Sequence, residues 1–156
     1  MGEKVESTKE MIKIYDTPLN KEVIEKEWFD SLKKNNSNGA FVTFTGIIRD
    51  ENKIEGLSFD VYEPILEKWF AVWDSYTRDN NSKLFMAHSK GDVKLGEISF
   101  MCAVASPKRR FALEMMDTFV EDFKANAPIW KYDLKDGERA YAADRSQKIE
   151  GSGLLA

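Results

Sequence analysis

One cysteine and one histidine are all that this chain of 156 residues holds of either type. Cys102 alone cannot close an intrachain disulfide. Together with His88 it falls short of the four ligands of a structural zinc site and of the thiolates an iron–sulfur cluster needs. Long apolar runs are missing too, since none reaches the roughly 18 residues of a membrane span. The first ten residues are charged and polar, without the apolar stretch of a signal peptide. There is no glycine-rich phosphate loop of the P-loop or dinucleotide type. Positive charge is in deficit: the net charge is −4, so no overall field draws nucleic acid or an anionic membrane. These absences point to a reduced, cytoplasmic protein in which any anion site is a local cluster.

What is present suffices for one core. Hydrophobic residues make up 42% and aromatics 12% of the chain, and no linker, repeat or low-complexity block divides it. The expected organisation is a polar N-terminal extension over 1–11, a single domain over 12–148 and a flexible tail over 149–156. Val23, Ile24, Trp28 and Leu32 share a helical face after the N-cap residue Asn20. Residues 40–48 and 57–62 read as strands. Pro64 opens a second helix with Ile65, Trp69, Val72, Trp73 and Tyr76 on its apolar face. Residues 83–88 and 97–105 are strands, the latter alternating through Ile98, Phe100, Cys102 and Val104. Ser106-Pro107 predicts a helix start, with Ser106 as N-cap, and Pro128 ends that helix near Asn126. Residues 129–134 form a strand, and Asp136-Gly137 a turn into a terminal strand. The fold class is α+β: an antiparallel or mixed sheet with three main helices, hammerhead-like, plus a small β subdomain.

Two segments then stand out. Gly39-Ala40-Phe41-Val42-Thr43-Phe44-Thr45-Gly46-Ile47-Ile48-Arg49 and Lys124-Ala125-Asn126-Ala127-Pro128-Ile129-Trp130-Lys131 each end a regular apolar stretch on an isolated cation. The third helix also breaks a rule at its start. Lys108, Arg109 and Arg110 sit where the helix dipole disfavours cations by about 0.3–1 kcal/mol each. The pattern leaves two readings open, a solvated basic turn or an anion site built on free N–H groups. Lys124 lies in the last turn of the same helix, 16 residues beyond Lys108. At ~1.5 Å per residue they are about 24 Å apart. If both serve one kind of site, that site joins the helix start of one copy to the helix end of another, and a two-fold dimer carries two such pockets. His88 has no visible acid or nucleophile partner and reads as structural or exposed. Cys102 reads as a buried small hydrophobe. Glu63 and Glu97 are possible acids or bases that no spacing selects.

The two segments, with Tyr62-Glu63, His88 and Gly91, Gly96-Glu97 and Ser106 to Arg109 in the same order, resemble the large (catalytic) subunit of molybdopterin synthase over roughly residues 12 to 145. The resemblance implies a sulfurtransferase of molybdenum cofactor biosynthesis. Its substrate is cyclic pyranopterin monophosphate, which gains two sulfurs as the molybdopterin dithiolene. The sulfur donor is the C-terminal Gly-Gly thiocarboxylate of a small ubiquitin-like subunit. It also implies a homodimer within a heterotetramer, and neither metal nor organic cofactor. Position by position, it makes Lys124 and Lys131 catalytic, and Arg49, Lys108, Arg109 and Arg145 substrate-binding, with Arg109 and Arg145 supplied by the neighbouring subunit. The chain departs from the family pattern at Lys108, where histidine is usual, at Ser89 and Tyr132, where basic residues are frequent, and near Ala140 and Tyr141, where a tryptophan is missing. Two other classes compete with this reading: a non-catalytic binding module for the ubiquitin-like carrier, and a general phosphate- or nucleotide-binding protein.

Overall fold

The computed structural model of the chain describes residues 8–51 and 53–141. In chain order the elements are α1 (Thr8–Met11), β1 (Ile12–Tyr15), α2 (Lys21–Ser31), β2 (Ala40–Ile47), β3 (Gly56–Val61), α3 (Glu63–Asp79), β4 (Lys83–Ser89), β5 (Gly91–Lys94), β6 (Ile98–Ser106), α4 (Arg109–Asn126), β7 (Ile129–Lys135) and β8 (Glu138–Tyr141). They form two four-stranded sheets, ordered β1-β4-β6-β2 and β5-β3-β7-β8. Only β1, parallel to β4, makes the first sheet mixed; the second is antiparallel throughout. The expected α+β class with a small β subdomain is what the chain forms.

The first sheet is sandwiched. Trp28 of α2 stacks on Phe85 and Phe29 meets Phe41 on one face. Phe70 and Phe119, from α3 and α4, pack with Leu84, Met86, Cys102 and Val104 on the other. Covered on both sides, β6 is buried from Ser99 to Ser106, so its sequence alternation sorts residues between two apolar faces and not between core and solvent. Local signals set several boundaries. Asn20 caps α2 by accepting the Val23 N–H at 3.2 Å. Asp136 and Gly137 both take positive φ in the β7–β8 turn, which an Asp-Gly pair tolerates. Gly56 lets β3 approach β5 closely, since a Cβ there would lie 2.3 Å from the Val93 carbonyl oxygen.

Four readings change. Residues 8–11, placed in the extension, form a helical turn, and Met11 is core. β1 and β5 have too few residues for a periodic signal and are held by pairing with β4 and β3. The inward face of α3 is rotated from the expected one: Leu66, Phe70, Asp74 and Thr77 are buried, whereas Val72 and Tyr76 are exposed. Finally, α4 starts at Arg109. Ser106 ends β6 instead of capping the helix, and its Oγ accepts the Lys108 N–H at 3.2 Å. The N-cap is Lys108 itself, which has no side-chain cap.

Candidate active site

Residues of both sheets and of the end of α4 line a cavity of about 580 Å³. Its floor is apolar, with Phe44, Phe59, Phe100 and Phe123 among its residues, and its charged lining is Arg49, Glu51, Lys124 and Lys131. Three cations singled out in the sequence, from the end of β2, the end of α4 and β7, thus meet in one space. Lys108 and Arg109 do not join them. They lie at the opposite end of α4, about 25 Å away for an 18-residue helix. Arg145 lies outside the described residues, as does the tail over 149–156.

Each cation is placed by its own element. The β2–β6 register shifts between Gly46 and Ile47. Beyond it, the Ile48 N–H donates to Glu97 at 2.9 Å and the Gly96 N–H to Ile48 at 2.8 Å, anchoring the chain just before Arg49. The Arg49 guanidinium, 83% exposed, pairs with Glu51 at 2.6 Å. An exposed pair of this kind contributes at most ~1 kcal/mol, so an anionic ligand can take the place of Glu51.

Lys124 sits in the last turn of α4, where the helix dipole favours a cation. Its neighbours are fixed firmly. Phe123 stacks on Phe100, centroids 3.9 Å apart and rings parallel within 1°. Asp122 accepts from the indole N–H groups of Trp69 and Trp73 at 3.1 and 2.7 Å, and from Asn126 Nδ2 at 2.6 Å, tying this turn to α3. The helix stops on cue: Ala127 is extended at φ −65°, ψ 136°, as Pro128 requires. On β7, strand alternation buries Trp130 and turns half-buried Lys131 towards the cavity.

His88 also lines the cavity. It is 2% exposed, and its Nδ1 donates to the Ser89 carbonyl at 2.7 Å. Burial drives its pKa down to about 4, only partly offset by that hydrogen bond, so the ring is neutral near pH 7. The structural role expected of His88 therefore covers only part of its setting. With Glu51, it is a lining residue that the sequence pattern did not select. Cys102 is buried as expected, and burial pushes its thiol pKa up, away from nucleophilic use. Glu63 and Glu97 do not line the cavity. Glu97 instead accepts the Lys94 N–H at 2.8 Å. Among the described residues no group of three His, Cys, Asp or Glu could hold a metal ion.

Chemically, the cavity can hold an anion beside a flat apolar body and supply protons or positive charge from two lysines. Known proteins share this architecture. The family profile described as MoaE protein matches residues 19–126. The molybdopterin synthase catalytic subunit of Helicobacter pylori (strain ATCC 700392 / 26695) is 52% identical over 118 residues, 76% of this chain and 81% of that protein. In the solved protein–protein complex of subunits 1 and 2 of the molybdopterin-converting factor from Helicobacter pylori 26695, the matching chain has 46% identity and a TM-score of 0.86. That match covers 94% of this chain and 99% of the other. The crystal structure of molybdopterin synthase from Staphylococcus aureus matches at 25% identity and a TM-score of 0.70, covering 83% and 95%. With the profile spanning well over half of its length, the chain belongs to the MoaE protein family, that of the molybdopterin synthase catalytic subunits.

Proposed function

We propose that this chain transfers sulfur from the C-terminal thiocarboxylate of a small ubiquitin-like subunit to cyclic pyranopterin monophosphate, forming the molybdopterin dithiolene. The observation that carries the reading is the meeting of Arg49, Lys124 and Lys131 over an apolar floor in one cavity. Both reactants are anions, and a protein of net charge −4 presents them here with a local cationic pocket. Arg49 and Lys131 hold the phosphate and polarise the carbon–oxygen bond that breaks. Lys124 stabilises the thiocarboxylate and delivers a proton to the departing oxygen as the carbon–sulfur bond forms. Water then cleaves the acyl–sulfur bond, leaving the sulfur on the substrate and a carboxylate on the small subunit. A second thiocarboxylated subunit repeats the transfer for the second sulfur. The apolar floor seats the flat heterocycle of the substrate beside the cations.

The position of Lys108 and Arg109 supports a dimer. At the far end of α4 they can serve only the cavity of another copy, together with Arg145, so a homodimer with one small subunit on each protomer makes a heterotetramer. No helix among the described residues is long and apolar enough to cross a membrane, and the chemistry suits the cytoplasm. The test combines the protein, a thiocarboxylated small subunit and cyclic pyranopterin monophosphate in an assay for molybdopterin. Product that is lost in Lys124→Ala is the expected result. A stable complex without product would make the chain a binding module, and nucleotide binding without any complex would make it a general phosphate binder.

A further inference from the structure

We propose that His88 orients the substrate: its Nε2 accepts a hydrogen bond from an N–H group of the flat heterocycle that enters the cavity. This rests on the synthase reading above, and it adds a residue to which the sequence pattern gave no role.

The ring is committed to one tautomer. A carbonyl oxygen can only accept, so the 2.7 Å contact with Ser89 places the proton on Nδ1 and leaves Nε2 as a bare acceptor. Among the described residues no hydrogen bond uses Nε2. Unlike Trp130 Nε1, it is not among the fully enclosed polar atoms without a partner, and His88 is one of the residues that line the cavity. The ring is also held in place from three elements. Phe59 of β3 meets it edge-on at 4.9 Å, while Phe100 of β6 and Phe123 of α4 lie at 5.9 and 5.7 Å. Burial keeps it neutral well below pH 7, so protonation does not convert the acceptor to a donor.

The surrounding charges make this acceptor distinctive. Arg49, Lys124 and Lys131 are donors only, and Glu51, the one carboxylate of the lining, is a charged acceptor beside the exposed Arg49 and not part of the aromatic cluster around His88. An anionic group is drawn to the cations. A ring N–H finds in His88 an uncharged acceptor that cannot turn away. A ligand that covers Nε2 without donating to it leaves a buried polar atom unpaired, which disfavours binding on the order of tenfold to a hundredfold. If His88 were only a filler of the aromatic cluster, a phenyl ring would replace it without loss of selectivity.

The test compares His88→Phe and His88→Gln in the assembled synthase, with cyclic pyranopterin monophosphate as substrate. His88→Phe should raise KM by about tenfold to a hundredfold, with kcat changed far less and small-subunit affinity unchanged. His88→Gln, whose Oε1 reaches where Nε2 lies, should recover most of the loss. A folded His88→Phe enzyme with wild-type KM overturns the proposal. A second measurement needs no variant. His88 is the only histidine of the chain, so ¹⁵N-histidine labelling reports one ring. Saturating substrate, added with a small subunit that lacks the thiocarboxylate, should shift the Nε2 resonance towards its hydrogen-bonded position. An unmoved resonance overturns the proposal even if the variants misfold. Should wild-type enzyme make molybdopterin while either test fails, only the role of His88 falls. Should wild-type enzyme neither bind nor convert this substrate, the synthase reading falls and takes this inference with it.

Discussion

At its C-terminal end α4 delivers Lys124 into a cavity with an aromatic floor, a turn tied to α3 through Asp122, and a chain stop set by Pro128. At its N-terminal end it presents Lys108, Arg109 and Arg110 on open surface. There the N-cap has no side-chain acceptor, and of the three only Arg110 has an ion pair among the described residues, with Glu114 at 4.0 Å. The dipole favours the cation at one end and disfavours those at the other, by about 0.3–1 kcal/mol each. A residue type that is locally stabilised needs no further reason for its place. Cations held against the local field do, and in the dimer proposed above that reason would be the substrate anion of a second copy.

The largest expected effect falls at the built end. Lys124→Ala should lower molybdopterin formation by about 10³-fold while small-subunit binding, followed by calorimetry, stays intact. Near-normal turnover would remove the lysine from the chemistry and erase the contrast between the two ends. The next effect concerns the floor of the same cavity. Unfolded, His88 binds a proton near pH 6.5; folded, only near 4. Between those values the unfolded state binds more protons, so stability falls as pH drops through that window and levels off below it. The loss attributable to this one group is about 3 kcal/mol. Comparing the wild type with His88→Phe in denaturant titrations across pH 4–7 should show the difference curve bending there.

At the open end the effects are smaller and dissociate activity from stability. Arg109→Ala should weaken substrate binding roughly tenfold yet move unfolding free energy by less than ~0.5 kcal/mol, because the exposed side chain has no ion pair or hydrogen bond to lose among the described residues. Lys108→Ser should stabilise the fold by about 0.5–1 kcal/mol by giving α4 a capping oxygen, while lowering substrate affinity. A Lys108→Ser protein that is less stable would show that the lysine serves the helix after all.

Much of this contrast is legible in the chain before folding. The spacing of Lys108 and Lys124 along one helix separates the two ends, and Pro128 marks where the second end stops. β2 and β6 are readable within a residue because their β-branched and aromatic runs are long. What escapes is tertiary. β1 exists because β4 offers it an edge, and β5 because Gly56 lets β3 come close. Val72 and Tyr76 read as core because periodicity alone cannot say which of two adjacent faces of α3 meets the sheet. The site divides in the same way. Arg49 and Lys131 each end an apolar stretch and Lys124 lies in a helix's last turn, signals that are weak singly and that the resemblance joins. His88 becomes visible only when Phe59, Phe100 and Phe123 converge on it from three elements. Glu51 hides because a carboxylate looks out of place in an anion pocket until its pairing with Arg49 is seen.

The most direct test of a pocket shared between copies is complementation. Lys124→Ala chains, nearly inactive alone, and Arg109→Ala chains, reduced about tenfold when substrate is held well below KM, are co-expressed so that dimers form at random and are assayed at that low substrate concentration. If the pocket takes Lys124 from one protomer and Arg109 from its partner, half the dimers are mixed and each holds one intact site. Activity should then return to roughly one quarter of wild type. A mixture no more active than its separate components would mean that both residues act within one protomer or that Arg109 acts elsewhere, and the account of the two helix ends would be wrong.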